Sequence, residues 1–172
     1  MAEEPISGEL QPLPAQPAEG QPEQESRPEQ QYCIFRAGRE RFCIPVRDVE
    51  EVVEWPAVTP VPLAPSFLMG IFNLRGAIVP ILDIAFTEAR HSDLTPKHIV
   101  VGLLGAEGER DQMRIGIAAD EVIGAYTTAE ALLVEEAPRG VPHCCGMLRH
   151  EDKLALALDL KRVTEVFPVP VI

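Results

Sequence analysis

The sequence predicts a mainly β protein made of two small barrels. Three observations lead there: short β-rich runs separated by glycine and polar turns, helical periodicity confined to single turns, and an internal repeat of landmark residues. With 172 residues, 46% of them hydrophobic, the chain can bury a sizeable core, but its length allows only one ordinary domain or two small ones.

The first 30 residues stand apart. They hold six prolines, five glutamines and seven glutamates against one arginine, Arg27. That composition lacks the apolar surface needed to offset the entropy of ordering a backbone, so residues 1–30 read as a disordered acidic tail. The tail is either a solubilising leader or a docking peptide, with Ile6, Leu10 and Leu13 as anchors in the second case.

From Tyr32 the pattern changes to two β-rich runs around Gly38, which predicts a hairpin. Pairing Phe35 with Phe42 brings Cys33 opposite Ile44 and sends these four side chains to one face, with Ile34 and Cys43 on the other. Cys33 and Cys43 are therefore expected to be small buried hydrophobes, not a disulfide. A second hairpin spans residues 70–84 around Arg75-Gly76, a third pairs His98–Leu104 with Met113–Ala119, and a last one turns at Glu151-Asp152 into Lys153–Leu158. Helical turns are expected only near residues 47–51, 66–69 and Leu160–Val166. The repeat links these pieces. Gly70 precedes Asp83 by thirteen positions, as Gly146 precedes Asp159, and Ile44-Pro-Val-Arg-Asp-Val49 parallels Ile117-Ala-Ala-Asp-Glu-Val122. Two copies of one module, about 31–86 and 97–160, account for all three landmarks.

The formal charge of −12 argues against nucleic acid and anionic membrane as partners, because both require a basic face. The longest apolar stretch, residues 67–82, is broken by Gly70, Asn73, Arg75 and Gly76, so no membrane insertion is expected. The first residues lack a basic, apolar secretory pattern, which predicts a cytoplasmic protein with reduced thiols. The few serines occupy no nucleophile elbow, and the glycines form neither a Walker nor a dinucleotide loop. Asp83 and Asp159 fit turn or helix caps better than a catalytic pair. His143-Cys144-Cys145 with His150 has poor metal spacing, since neighbouring strand residues point to opposite faces. The expectation is a non-enzymatic protein with no cofactor and no metal. What stands out instead is Arg75 on a hairpin tip, with Phe67, Met69 and Phe72 nearby in sequence, a composition favoured at interface centres.

The run Gly70-Ile-Phe-Asn-Leu-Arg-Gly-Ala-Ile-Val-Pro-Ile-Leu-Asp83, with Phe42-Cys-Ile-Pro-Val-Arg-Asp-Val-Glu-Glu-Val52 and Val61-Pro62 before it, resembles the CheW family of chemotaxis coupling proteins. Residues 31–167 carry the likeness, more loosely in the second half; the tail does not. The resemblance implies two intertwined five-stranded SH3-like barrels with a few short helices. It implies a non-catalytic scaffold that couples the cytoplasmic signalling tip of chemoreceptors to the C-terminal regulatory domain of a CheA-type histidine kinase. Rings with other CheW-like domains, and recruitment from the cytoplasm to membrane-associated receptor arrays, follow from the same likeness. By motif it assigns protein contacts to Val49, Glu51, Gly70, Asn73 and Arg75, and on the second barrel to Val122 and Ala125. The alternative is a localisation or array-modulating protein of the same fold that binds kinase or receptor without coupling them.

Overall fold

A computed structural model of the chain describes residues 28–86, 94–105, 112–133 and 140–169. Of the acidic tail, residues 1–27 lie outside the described residues, as do His91 and most of the polar turn at 105–112. Gln30 already belongs to the fold, where it pairs with Thr128.

Among the described residues, ten strands form two five-stranded sheets. The first contains β1 (Gln30–Ala37), β2 (Glu40–Pro45), β8 (Glu121–Thr128), β9 (Cys144–His150) and β10 (Lys153–Leu158), in the order β8-β1-β2-β10-β9. The second contains β3 (Val49–Glu54), β4 (Leu68–Leu74), β5 (Ala77–Leu82), β6 (His98–Leu104) and β7 (Met113–Ala119), in the order β3-β6-β7-β5-β4. Each sheet has one parallel junction, β2 with β10 and β7 with β5. In each, the connector leaving one edge strand bridges to the other edge, Thr59 to Ile71 in one sheet and Leu133 to Met147 in the other, which curls the sheet toward closure.

The modules 31–86 and 97–160 are units of sequence, and the sheets interleave them. The first module gives β1 and β2 to one sheet and β3 to β5 to the other; the second gives β6 and β7 to one and β8 to β10 to the other. The crossovers are too short for the chain to return to its own sheet. A single 3-10 turn, Val46–Asp48, separates β2 from β3, and only Asp120 separates β7 from β8.

This interleaving explains why β1, β2, β6 and β7 are nearly continuous hydrophobic runs. Alternate side chains face two different interiors. Phe35, Phe42, Cys33 and Ile44 join Val100, Ile115 and Ile117 in a core between the sheets. Ile34 and Cys43 face the inside of the first barrel, and Ile99, Val101 and Ala118 that of the second. The first hairpin has the expected register, Phe35 opposite Phe42 and Cys33 opposite Ile44, and both cysteines are free thiols on opposite faces. Burial pushes the Cys43 thiol up to about 12.

Of the three expected helical turns, one forms an α-helix, one a short 3-10 turn, and one no helix. α1 (Leu160–Val166) is capped by Asp159, whose Oδ1 accepts from the backbone N–H groups of Lys161 and Arg162 at 2.9 and 3.2 Å. Asp83 accepts from Ala85 N–H at 3.0 Å, a turn without a helix. Residues 47–51 yield only the 3-10 turn before the chain extends into β3, because Val52 and Val53 gain ladder partners on β6 that a helix would forgo. Residues 66–69 form a turn that enters β4 at Leu68, which packs into the central core.

Candidate protein-interaction site

The β4–β5 hairpin fixes the site's geometry. Arg75 and Gly76 have φ of 50° and 91°, the double positive conformation of the two-residue turn whose twist matches paired strands. Glycine adopts it freely; arginine holds it because the turn is locked on both sides. Leu74 pairs with Ala77, and Asn73 Oδ1 accepts from Gly76 N–H at 2.8 Å. The arginine side chain is 77% exposed, and its Nη2 donates to Glu51 Oε2 at 3.0 Å.

Glu51 stands on β3, just past a bulge. Val49 faces Gly102 and Glu51 faces Val101, which leaves Glu50 as the extra residue. Glu50 takes a two-pronged contact from Arg114 of β7, Nε to Oε2 at 2.5 Å and Nη2 to Oε1 at 3.0 Å. The Arg114 hydrogen bond holds the Glu50 carboxyl below the usual carboxylate range, and the same bond raises the arginine. Arg75 adds to the depression at Glu50. Two neighbouring glutamates of β3 thus each hold one arginine, Glu51 that of the hairpin tip and Glu50 that of β7. Glu51 Oε1 is closed to solvent with no hydrogen-bond partner, so this carboxylate keeps acceptor capacity.

The residues expected at the site fall into four places. Glu51, Asn73 and Arg75 come together at the tip. Val49, on the same strand as Glu51, is half-buried against the central core. Gly70 is buried within β4 at φ 147°, where an added Cβ would lie 2.5 Å from Val58 Cγ1 and 2.7 Å from the Thr59 carbonyl oxygen. Its role in the fold is to admit the bridging connector. Val122 and Ala125 lie on β8 of the other sheet, opposite Phe35 and Cys33. Val122 packs on the central core and Ala125 is exposed.

The apolar companions expected around Arg75 are corrected. Phe72 is inside the barrel at 4% exposure, and the Phe67 ring packs edge-on against Phe167, 5.3 Å between centroids. Strand alternation sends Phe72 inward because Asn73 and the turn face outward. The apolar groups that this sheet shows to solvent are Val52, Ile78 and, on the proline-rich connector, Leu63. The sequence reading missed Glu50 and Arg114; an arginine inside the apolar run 113–119 was the available clue.

His143, Cys144 and Cys145 point to different surroundings. His143 lies between the rings of Phe42 and Phe167, with both ring nitrogens lacking partners, and burial pushes it down to about 4. Cys144 faces the central core, and the Cys145 Sγ donates to the Ala157 carbonyl oxygen at 3.5 Å. Among the described residues no helix is long and apolar enough to cross a membrane. The tip presents an exposed cation on a rigid turn, paired with a half-buried carboxylate.

The chain is similar to several characterised proteins. It is 32% identical over 106 residues to "Probable chemotaxis protein CheW" of Rhizobium etli, covering 61% of this chain and 65% of that one. It is 34% identical over 102 residues to "Protein FrzA" of Myxococcus xanthus, covering 58% and 60%. A longer match, 138 residues at 24% identity, covers 78% of this chain and 87% of the CheW of Thermotoga maritima. The first two matches thus span a little under two-thirds of those relatives. The crystal structure of the scaffolding protein TtCheW from Thermoanaerobacter tengcongensis superposes with a TM-score of 0.61 at 20% identity, covering 76% of this chain and 88% of that one, and shares the fold. Residues 31–167 match the CheW-like domain, and on that match the chain belongs to the CheW-like family.

Proposed function

We propose that this protein is a non-enzymatic adaptor that couples chemoreceptors to a CheA-type histidine kinase in a bacterial signalling array. The observation that carries the reading is Arg75, held on a locked two-residue turn, exposed, and balanced against Glu51. The turn's backbone is already ordered and adds no entropy cost on binding, so the arginine is presented to a partner from a fixed point. In this reading Glu51, Asn73 and Arg75 form a polar contact for a receptor helix or the kinase's regulatory domain. Val49 and Gly70 support that contact, and Val122 and Ala125 extend the surface onto β8 of the first sheet. The receptor tip would bury an apolar helix face and present a carboxylate or carbonyl to the arginine. The protein would act in the cytoplasm, gathered at membrane-associated arrays through its partners, which include other CheW-like domains in rings.

The test is reconstitution. Purified chain, a CheA-type kinase from the same genome and a receptor signalling fragment are combined, and kinase autophosphorylation is followed. The chain is expected to stimulate phosphorylation in the presence of receptor. Arg75→Glu is expected to weaken receptor binding by about 2–4 kcal/mol, since it reverses a charge in a partly desolvated contact. Unchanged affinity in that variant removes Arg75 from the site. Kinase binding without stimulation favours the localisation or array-modulating reading.

A further inference from the structure

The two sheets treat one arginine differently. Arg114 on β7 faces Leu103 across the β6–β7 ladder and takes the carboxylate of Glu50 from the neighbouring bulge. Arg41 occupies the matching position on β2. It faces Arg36 across the β1–β2 ladder, a like-charge pair that strands ordinarily avoid. Arg36 is compensated by Asp120 at 2.8 Å and by Glu121 at 3.5 Å. The bulge that should serve Arg41 is on β8, where Val122 faces Phe35, Gly124 faces Ile34, and the extra residue is Ile123. An isoleucine stands where the other sheet has its glutamate. Among the described residues no carboxylate meets the Nε and Nη2 edge of Arg41, the edge by which Arg114 holds Glu50, and Arg41 Nη1 is closed to solvent without any hydrogen-bond partner.

These residues line a cleft of about 440 Å³ across β8, β1, β2 and β10. Four cations, Arg36, Arg39, Arg41 and Lys153, meet two carboxylates, Glu40 and Glu121, in a chain whose net charge is −12. Ile123 and Leu154, 36% and 48% exposed, add an apolar wall. We infer that this cleft is a second recognition site, one that takes a carboxylate side chain flanked by aliphatic residues on an acidic segment of a partner protein. The internal comparison names the chemistry: the second sheet shows that a guanidinium in this setting is completed by a carboxylate received in two-pronged fashion. Arg41, left without a carboxylate of its own, selects an acidic segment, and the exposed Ile123 and Leu154 select aliphatic neighbours. The inference is independent of the adaptor reading, because no residue of the Arg75 tip takes part in it.

The test uses the full chain and a short capped peptide of alternating isoleucine and glutamate, with the isoleucine–glutamine peptide as control. Amide chemical shifts are followed by nuclear magnetic resonance at low salt. The glutamate peptide is expected to move amides of β1, β2, β8 and β10 around the cleft, and the glutamine peptide is not. Arg41→Gln is expected to raise the dissociation constant roughly tenfold or more, as loss of a desolvated charge pair does. Ile123→Glu, at an exposed position that leaves the core untouched, supplies the missing carboxylate from within and should abolish peptide binding. Equal response to both peptides, or binding unchanged in both variants, overturns the proposal. Binding that emerges only after residues 1–27 are removed overturns the assignment to a partner in favour of the chain's own acidic segment.

Discussion

The β4–β5 and β9–β10 hairpins are two versions of one device. Each is entered through the same hydrogen bond, Asp83 N–H to the Phe67 carbonyl in one and Asp159 N–H to the His143 carbonyl in the other. Phe67 and His143 both pack edge-on against Phe167, at 5.3 and 5.2 Å. Gly70 and Gly146 sit beneath the bridging connectors that curl each sheet. Ile78 and Leu154 are both exposed just past the turn. The tips then part company: Arg75-Gly76 in one, Glu151-Asp152 in the other. Closure and core packing restrict the interior positions, whereas a tip in water tolerates either sign of charge. The difference between the halves is therefore concentrated where partners can reach.

The largest expected effect tests how much tighter the first closure is. Gly70→Ala brings a Cβ to 2.5 Å from Val58 Cγ1 and 2.7 Å from the Thr59 backbone at positive φ, and should cost about 3 kcal/mol or more. Gly146→Ala meets Leu133 O at 3.1 Å without a positive φ, and should cost about 1 kcal/mol. Urea midpoints of the two variants decide the matter; equal losses would mean that the two closures are equally tight.

Second comes the histidine that replaces phenylalanine. His143 is buried and pushed down to about 4 from an ordinary 6.5, so between those values the unfolded chain binds more protons than the folded one. Stability is then complete above about pH 6.5 and falls as the pH drops toward about 4, by up to about 3 kcal/mol. His143→Phe makes the position match Phe67 and should flatten that acid limb in denaturation profiles from pH 7 to pH 4. An unchanged limb would assign it to the carboxylates.

Smaller effects belong to the exposed tip. Asn73→Ala loses the bond that holds the turn and should cost about 0.5–1 kcal/mol. Arg75→Ala should cost less than about 0.5 kcal/mol, because its pair with Glu51 is largely solvated. Thermal melting of Arg75→Ala beside the reconstitution assay separates the two roles: coupling lost with melting unchanged identifies a contact residue, and a large drop in melting identifies a structural one.

Much of the architecture was legible before any coordinates. The first hairpin's register, the Arg75-Gly76 turn and α1 followed from alternation, turn chemistry and a capping aspartate. Two of the four edge strands, β3 and β8, were not legible. β3 begins with Val-Glu-Glu-Val, which reads equally as a helical turn, and β8 is mostly exposed, with glycine, alanine and threonine giving little period. These two bury few side chains, so their sequences carry a weak pattern. At the site, Asn73 and Arg75 were visible as turn chemistry. The contacts of Glu51 with Arg75 and of Glu50 with Arg114 were not, since they join residues distant along the chain.

The sequence by itself determined that this is a twofold-repeated β protein with an acidic N-terminal segment and an arginine at a hairpin tip. Those properties depend on local periodicity, composition and turn preference, which neighbouring residues settle among themselves. Tertiary structure alone decided that the repeats exchange strands, that Phe72 turns inward, and that Arg114 finds a carboxylate while Arg41 does not. These outcomes depend on which strands meet across the sheets. That choice is made by the short crossovers and the shared core acting over the whole chain.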